Sequence, residues 1–224
     1  MIELIAFLGN VGAQYAKNRH NAAWLLADAL PWVADRPWQE KYRGSYASID
    51  AAALAALAET RGGLTGIDPD ALPARIHLLK PHTFMNLSGN AVRELAGFFK
   101  IAPDKILVVH DELELTPGTV SFKFSGGLGG HNGLRSMREN FGTADFWRLR
   151  IGIGRPAHRD IASYVLSDFS LDESILLSQM AQDIEKALIQ GLVRGPEKLL
   201  PAWNKKVLQR LDGGEDTGKK GGSD

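Results

Sequence analysis

Lys105-Ile106-Leu107-Val108-Val109-His110, followed at once by Asp111-Glu112-Leu113-Glu114, is the stretch that decides the fold. Four branched apolar residues in a row, with no polar alternation, predict a strand buried on both faces. Upstream, Leu87 to Lys100 carries Val92, Leu95, Ala96 and Phe99 at helical spacing, and Pro103-Asp104 turns the chain into the strand. Earlier still, Arg75 to Lys80 reads as a strand and Pro81 to Asn86 as a loop. Downstream come a Thr116-Pro117-Gly118 turn, a strand over Thr119 to Phe124, a glycine-rich loop over Gly126 to Gly133 and a short helix over Leu134 to Asn140. A strand over Trp147 to Ile153 and two helical stretches over roughly 160–211 follow. The chain opens with a strand over 2–8, a loop over Gly9 to Arg19, a helix from about Asn21 that Pro31 ends or breaks, and a strand over Tyr42 to Ile49.

Strands alternating with helices predict a single α/β domain: a twisted, mixed, mostly parallel sheet with helices on both faces. The run Ala51 to Glu59 has high helix propensity but no obvious partner face, and Arg61 to Pro73 is rich in Gly, Asp and Pro. Residues 51–73 are therefore expected to be a surface insertion in a domain spanning 1–211. Residues 212–224, mostly Gly, Lys, Asp and Ser, are expected to be a disordered tail. In sheets of this class the working loops gather beyond the carboxyl ends of the strands. Four polar loops follow strands here, which predicts one rim for most of the chemistry.

Composition removes several classes of function. With no cysteine in 224 residues, disulfides, thiolate nucleophiles and cysteine-ligated metals are excluded. Residues 1–8 lack a basic leader and are interrupted by Glu3, so they read as a strand and not as a signal peptide. No apolar run approaches the ~20 residues of a membrane span, so a soluble, cytoplasmic protein without membrane partners is expected. Twenty-six basic residues balance twenty-six acidic ones. The balance is uneven along the chain: Leu115 to Arg159 holds seven Lys or Arg against Glu139 and Asp145, whereas Asp160 to Gln190 holds six acids against Lys186. A neutral chain can thus present a basic face to nucleic acid, or simply a solvated one.

Four clusters could carry chemistry. Gly9-Asn10-Val11-Gly12 with Tyr15 and Arg19-His20-Asn21 places a histidine where a loop enters a helix, suited either to proton transfer or to helix capping. His110-Asp111-Glu112-Leu113-Glu114 puts a histidine and three carboxylates at the end of the most apolar strand. A metal is one reading, but adjacent carboxylates on an extended chain point apart, which favours Asp111 as the orienting partner of a histidine. Gly126 to Gly133 fails the dinucleotide fingerprint, because Asn132 stands where its third glycine should be, and no Walker lysine follows. It carries His131 and Asn132 instead. Pro81 to Gly89 offers Phe84, Met85 and Asn86, as cleft residues or as core and cap. No G-x-S-x-G elbow occurs, so a histidine-activated water is the most economical hydrolytic mechanism, with no cofactor and no metal.

Together these segments resemble the bacterial peptidyl-tRNA hydrolase family. The resemblance rests on Leu8-Gly9-Asn10 with Gly12, Tyr15 and Arg19-His20-Asn21; Thr83 to Gly89; His110 to Leu113; Gly129 to Leu134; and Arg148 to Gly154, all in the family's order. It implies hydrolysis of the ester joining peptide to tRNA, with His20 as the base that activates water and Asp111 as its support. Asn10 would discriminate N-blocked peptidyl substrates, Asn86 and Asn132 would hold peptide backbone, and Tyr15, Phe84, Met85 and His131 would shape the cleft. Lys123, with Arg148 or Arg150, would bind tRNA phosphate. A monomer is expected. Val11 and Asn18 depart from the proline and threonine common in the family, and 51–73 is longer than its usual counterpart. A substrate-switched hydrolase, a non-catalytic RNA-binding protein and a dinucleotide enzyme are the rival readings. Asn10, His20, Asp111 and Asn132 argue against the first, the His20–Asp111 pair, which a non-catalytic binder does not need, against the second, and the failed fingerprint against the third.

Overall fold

The computed structural model describes residues 1–156 and 160–209; the tail expected over 212–224, and Arg159 of the basic stretch, lie outside them. In chain order the main elements are β1 (Leu4–Phe7), α1 (Ala22–Ala29), α2 (Pro31–Ala34), β2 (Gln39–Lys41), β3 (Gly44–Asp50), α3 (Ala51–Thr60), β4 (Arg75–Pro81), α4 (Ser88–Phe99), β5 (Ile106–Glu112), β6 (Thr119–Phe124), α5 (Asn132–Phe141), β7 (Trp147–Gly152), α6 (Ile161–Val165), α7 (Leu171–Arg194) and β8 (Lys206–Val207). The strands form one mixed sheet in the order β2-β3-β4-β1-β5-β7-β6-β8. Its four central strands, β4, β1, β5 and β7, are parallel. Both margins are antiparallel.

The apolar run at β5 has the burial its composition demands. Leu107 and Val109 enter a core covered by α1, α2, α3 and α7, while Ile106 and Val108 enter a second core under α4 and α5. The two helical layers therefore follow directly from a strand with no polar face. Pro31 ends α1 and sits in the first turn of α2, where its missing N–H costs nothing. The long α7 starts with a reciprocal capping box between Ser170 and Glu173.

Two expectations meet a different outcome. The Ala51 to Glu59 helix does have a partner face: Leu54 and Ala58 are buried in the core shared with α7, and Leu64 joins them. Arg61 pairs with Glu185 of α7 at 3.2 Å, and Gln190 of α7 donates to the Gly62 carbonyl at 2.9 Å. The partner helix lies more than 100 residues downstream, so no local pattern could reveal it. The second concerns the glycine loop. Because β6 is antiparallel to β7, with Phe124 opposite Trp147, β6 ends at the rim opposite the one where β5 and β7 end. The loop climbs back along the sheet, from the level of Trp147 to that of Glu112, a rise of ~17 Å. It thereby returns His131 to the carboxyl-end rim.

Candidate active site

Three loops meet at that rim. Gly9 lies just beyond β1 beneath the Trp24 indole, where a Cβ would lie 2.6 Å from the ring nitrogen, so only glycine fits. Trp24 Nε1 donates to the Phe7 carbonyl at 2.9 Å and fixes the ring there. Asn10 and Asn21 then exchange two hydrogen bonds: Asn10 N–H to Asn21 Oδ1 at 2.7 Å, and Asn21 Nδ2 to the Asn10 carbonyl at 3.0 Å. That pair ties the end of β1 to the 3-10 turn Arg19–Asn21, which presents His20. Asn10 Oδ1 accepts the Met85 backbone N–H at 2.7 Å, bringing in the loop after β4. The oxygen being fixed, the Asn10 NH2 group is the end left to act as a donor.

Asp111, on β5, is the hub. Its Oδ1 lies 2.8 Å from His20 Nδ1 and 2.9 Å from His131 Nε2. A carboxylate only accepts, so both nitrogens carry hydrogen. The tautomer of His131 is fixed independently, since its Nδ1 accepts the N–H groups of Gly133 and Leu134 at 3.1 and 3.3 Å as the cap of α5. His20, with Nδ1–H committed to Asp111, keeps Nε2 as a lone pair, and that atom has no partner among the described residues. Burial alone would depress the His20 pKa, but the Asp111 charge and hydrogen bond outweigh it and raise it above the ordinary 6.5. Burial likewise works to raise the Asp111 pKa, and the two imidazoles hold it well below the carboxylate range instead.

His20, Asp111 and His131 are close enough together to suit a cation. The hydrogen-bond pattern argues against it: a shared ion would have to displace the Nε2 proton that the capping role forces on His131. His110, on the other face of β5, donates Nδ1–H to the Asp111 carbonyl at 2.6 Å. Burial, followed by the neighbouring His131, drives its pKa well below 6.5, so it stands neutral behind the site.

The triad opens into a cavity of about 280 Å³ lined by His20, Asp111, His131 and Asn132, with apolar walls from Leu113, Ile161, Ala162 and Val165. Asn132 begins α5 and is exposed. Phe84, 54% exposed, and the exposed Asn86 stand outside this cavity on the loop after β4, and Tyr15 is half-buried in the loop after β1. Met85 does not shape the cleft with its side chain, which is 3% exposed in the core beneath α5; only its backbone N–H serves the site. The α6 wall is what the sequence reading misses, because a five-residue helix beyond the last central strand offers no periodic signal.

Lys123 and Arg150 lie in a separate groove of about 470 Å³, with Ser121, Asn204 and Lys205. Arg150 is paired with Glu112 at 2.8 Å. Partial burial, then the neighbouring Arg150 and Arg148, lower the Lys123 pKa. Arg148 is not a phosphate ligand. It is 2% exposed, and its guanidinium donates to the carbonyls of Gly127 and Gly126 at 2.6 and 3.0 Å, holding the climbing glycine loop. Lys205 is missed because nothing local says that the chain returns to β6; the Asn204-Lys205-Lys206 run is the available signal.

Fold and site define an α/β protein with a buried histidine–carboxylate centre, of the kind that general-base hydrolysis requires. Comparison with known proteins carries this further. The family model of peptidyl-tRNA hydrolase matches residues 4–210. The chain is 46% identical over 215 residues to the peptidyl-tRNA hydrolase of Treponema pallidum, covering 94% of this chain and 98% of that one. It is 41% identical to that of Desulfitobacterium hafniense, covering 91% and 100%. The crystal structure of peptidyl-tRNA hydrolase from Acinetobacter baumannii superposes with a TM-score of 0.74 at 30% identity, over 93% of this chain and 97% of that one. The chain belongs to the peptidyl-tRNA hydrolase family.

Proposed function

We propose that this chain hydrolyses the ester between peptide and tRNA in peptidyl-tRNA, with His20 Nε2 as the base that activates water. One observation carries the reading: His20 gives one ring nitrogen to a buried ionised carboxylate and keeps the other unpaired at the cleft. As water loses its proton, the imidazolium that forms is stabilised by Asp111, and the same proton then serves the departing ribose oxygen. The NH2 of Asn10 and the amide of Asn132 supply donors and acceptors for the peptide. Asn86 extends that set, with Tyr15 and Phe84 at the rim. Lys123 and Arg150 bind tRNA backbone, and Lys205 adds a third cation to their groove. The enzyme acts as a cytoplasmic monomer; among the described residues no helix is long and apolar enough to cross a membrane.

Incubation with peptidyl-tRNA should release free tRNA and peptide, and a chelator should not slow it. His20→Ala should lower kcat by roughly 10²-fold to 10⁴-fold, the range for a lost general base. An unchanged rate in that variant would rule His20 out. Lys123→Ala should weaken binding and reduce its salt dependence by about one counterion, with turnover of bound substrate little altered.

A further inference from the structure

Arg19 stands beside the proposed base in sequence but points away from it, into the segment that follows α6. Its Nη1 donates to Ser167 Oγ at 2.7 Å and to the Asp168 carbonyl at 2.6 Å, and its Nη2 to Glu173 Oε2 at 2.6 Å. The guanidinium lies 4.6 Å from the centroid of the Tyr164 ring and 5.6 Å from that of Phe169. The backbone repeats the attachment, with Arg19 N–H donating to the Ser167 carbonyl at 3.0 Å and Phe169 N–H to the Lys17 carbonyl at 3.1 Å. Tyr164 is itself fixed, donating to the Ile153 carbonyl at 2.5 Å just beyond β7. The other side of the turn is held by the Asn10–Asn21 exchange. The turn that carries His20 has no side-chain cap of its own, so these neighbours are what hold it.

We infer that Arg19 is a positioning residue: it fastens the His20 turn to the α6–α7 segment, so that the base and the wall formed by Ile161, Ala162 and Val165 keep one fixed spacing. The inference rests on His20 being the base. A planar guanidinium suits the task, because it donates to a hydroxyl, a backbone carbonyl and a carboxylate at once while its faces pack on rings. A lysine can make only part of that set. If the turn loosens, His20 moves relative to Asp111, and a misplacement near 1 Å costs about 10²-fold in a reaction that depends on orientation. The Asp111 charge then acts on the imidazole from farther away, while burial still opposes protonation. The other titratable ring facing His20 is His131, at 4.9 Å between centroids.

The test compares Arg19→Met, Arg19→Lys and Glu173→Gln in the full chain, with kcat, KM and the pH profile of kcat measured on peptidyl-tRNA. Arg19→Met should lower kcat about 10-fold to 100-fold with little change in KM, and should move the acid limb of the profile to lower pH. Arg19→Lys should recover part of both. Glu173→Gln should stay within a few-fold of the unaltered enzyme, because the Ser167 and Asp168 acceptors remain. A merely structural loss would scale the rate at every pH and leave the limb in place, and that result would overturn the inference. Should Arg19→Met fail to fold, Arg19→Lys decides: an unaltered kcat and acid limb in that variant would overturn it. Full activity in His20→Ala would remove the underlying reading instead, so the two failures are distinguishable.

Discussion

Asp111 Oδ1 accepts from two imidazoles, and this makes it the least replaceable atom of the site. Asp111→Asn would present an NH2 group or a neutral oxygen where two N–H donors converge, so at least one histidine must turn or change tautomer. We expect a severe loss of kcat, with the acid limb of the pH profile displaced below that of the unaltered enzyme. In the unaltered enzyme, kcat should rise with pH as His20 loses its proton, with a midpoint above 6.5, because Asp111 holds that proton on. A midpoint below 6.5 would show that burial, and not the carboxylate, dominates. At this scale residue type alone left His20 open between proton transfer and helix capping; the roles expected of His20, Asn10 and Asn132 came from the family resemblance, while Asp111 could be read as a histidine's partner from its place at the end of an apolar strand. Arg148 and Arg150 were not distinguishable, since both alternate on the same face of one strand. Only the direction of the glycine loop decides that the first is buried under carbonyls and the second reaches a groove.

That loop also gives a prediction at the scale of an element. Replacing Arg148 with Met keeps the length of the stem but leaves the Gly126 and Gly127 carbonyls without their donor. Both glycines are exposed, so water can take over at their carbonyls; what is lost is the restraint on the loop that holds His131. Arg148→Met should therefore lower Tm and reduce kcat, while the salt dependence of tRNA binding stays unchanged. A reduced salt slope would return Arg148 to the phosphate-binding set. The contrast with Lys123→Ala, expected to alter the slope and spare Tm, separates the two roles. Element identity was largely readable from periodicity, as β5 and α4 show. Element partnership was not, because α3 finds its neighbour in α7 and β6 reverses direction, and both depend on contacts between distant segments.

Across the whole molecule, buried histidines set how stability responds to acid. His77 stacks on Phe99 at 3.9 Å between centroids and hydrogen-bonds the Tyr46 hydroxyl at 2.9 Å. Burial, reinforced by Arg75, lowers its pKa to about 4. A histidine held neutral in the fold but free to protonate at 6.5 when unfolded contributes stability above pH 6.5 that is lost as pH falls from 6.5 towards 4. His110 acts in the same direction. His20, with its raised pKa, has the opposite sign: its contribution is present below 6.5 and fades as pH climbs through the folded-state value. The His20 contribution changes only above pH 6.5, so between pH 6.5 and 4 His77 and His110 set the direction: Tm should drop, and His77→Gln should flatten part of that slope. An unchanged slope in the variant would assign the acid sensitivity elsewhere.

The central place of β1 sets the order in which the protein can be made. Although first to emerge during synthesis, β1 pairs only with β4 and β5, whose contacts with it begin at His77 and Ile106. For the first hundred residues it waits without both neighbours, and closing such separations is slow relative to local structure. The base, its carboxylate and the segment that anchors Arg19 come from residues 20, 111 and 167–173, so no partly assembled chain holds a working centre. Recovery of esterase activity after dilution from denaturant should then coincide with the slowest refolding phase, lagging behind the return of helical circular dichroism.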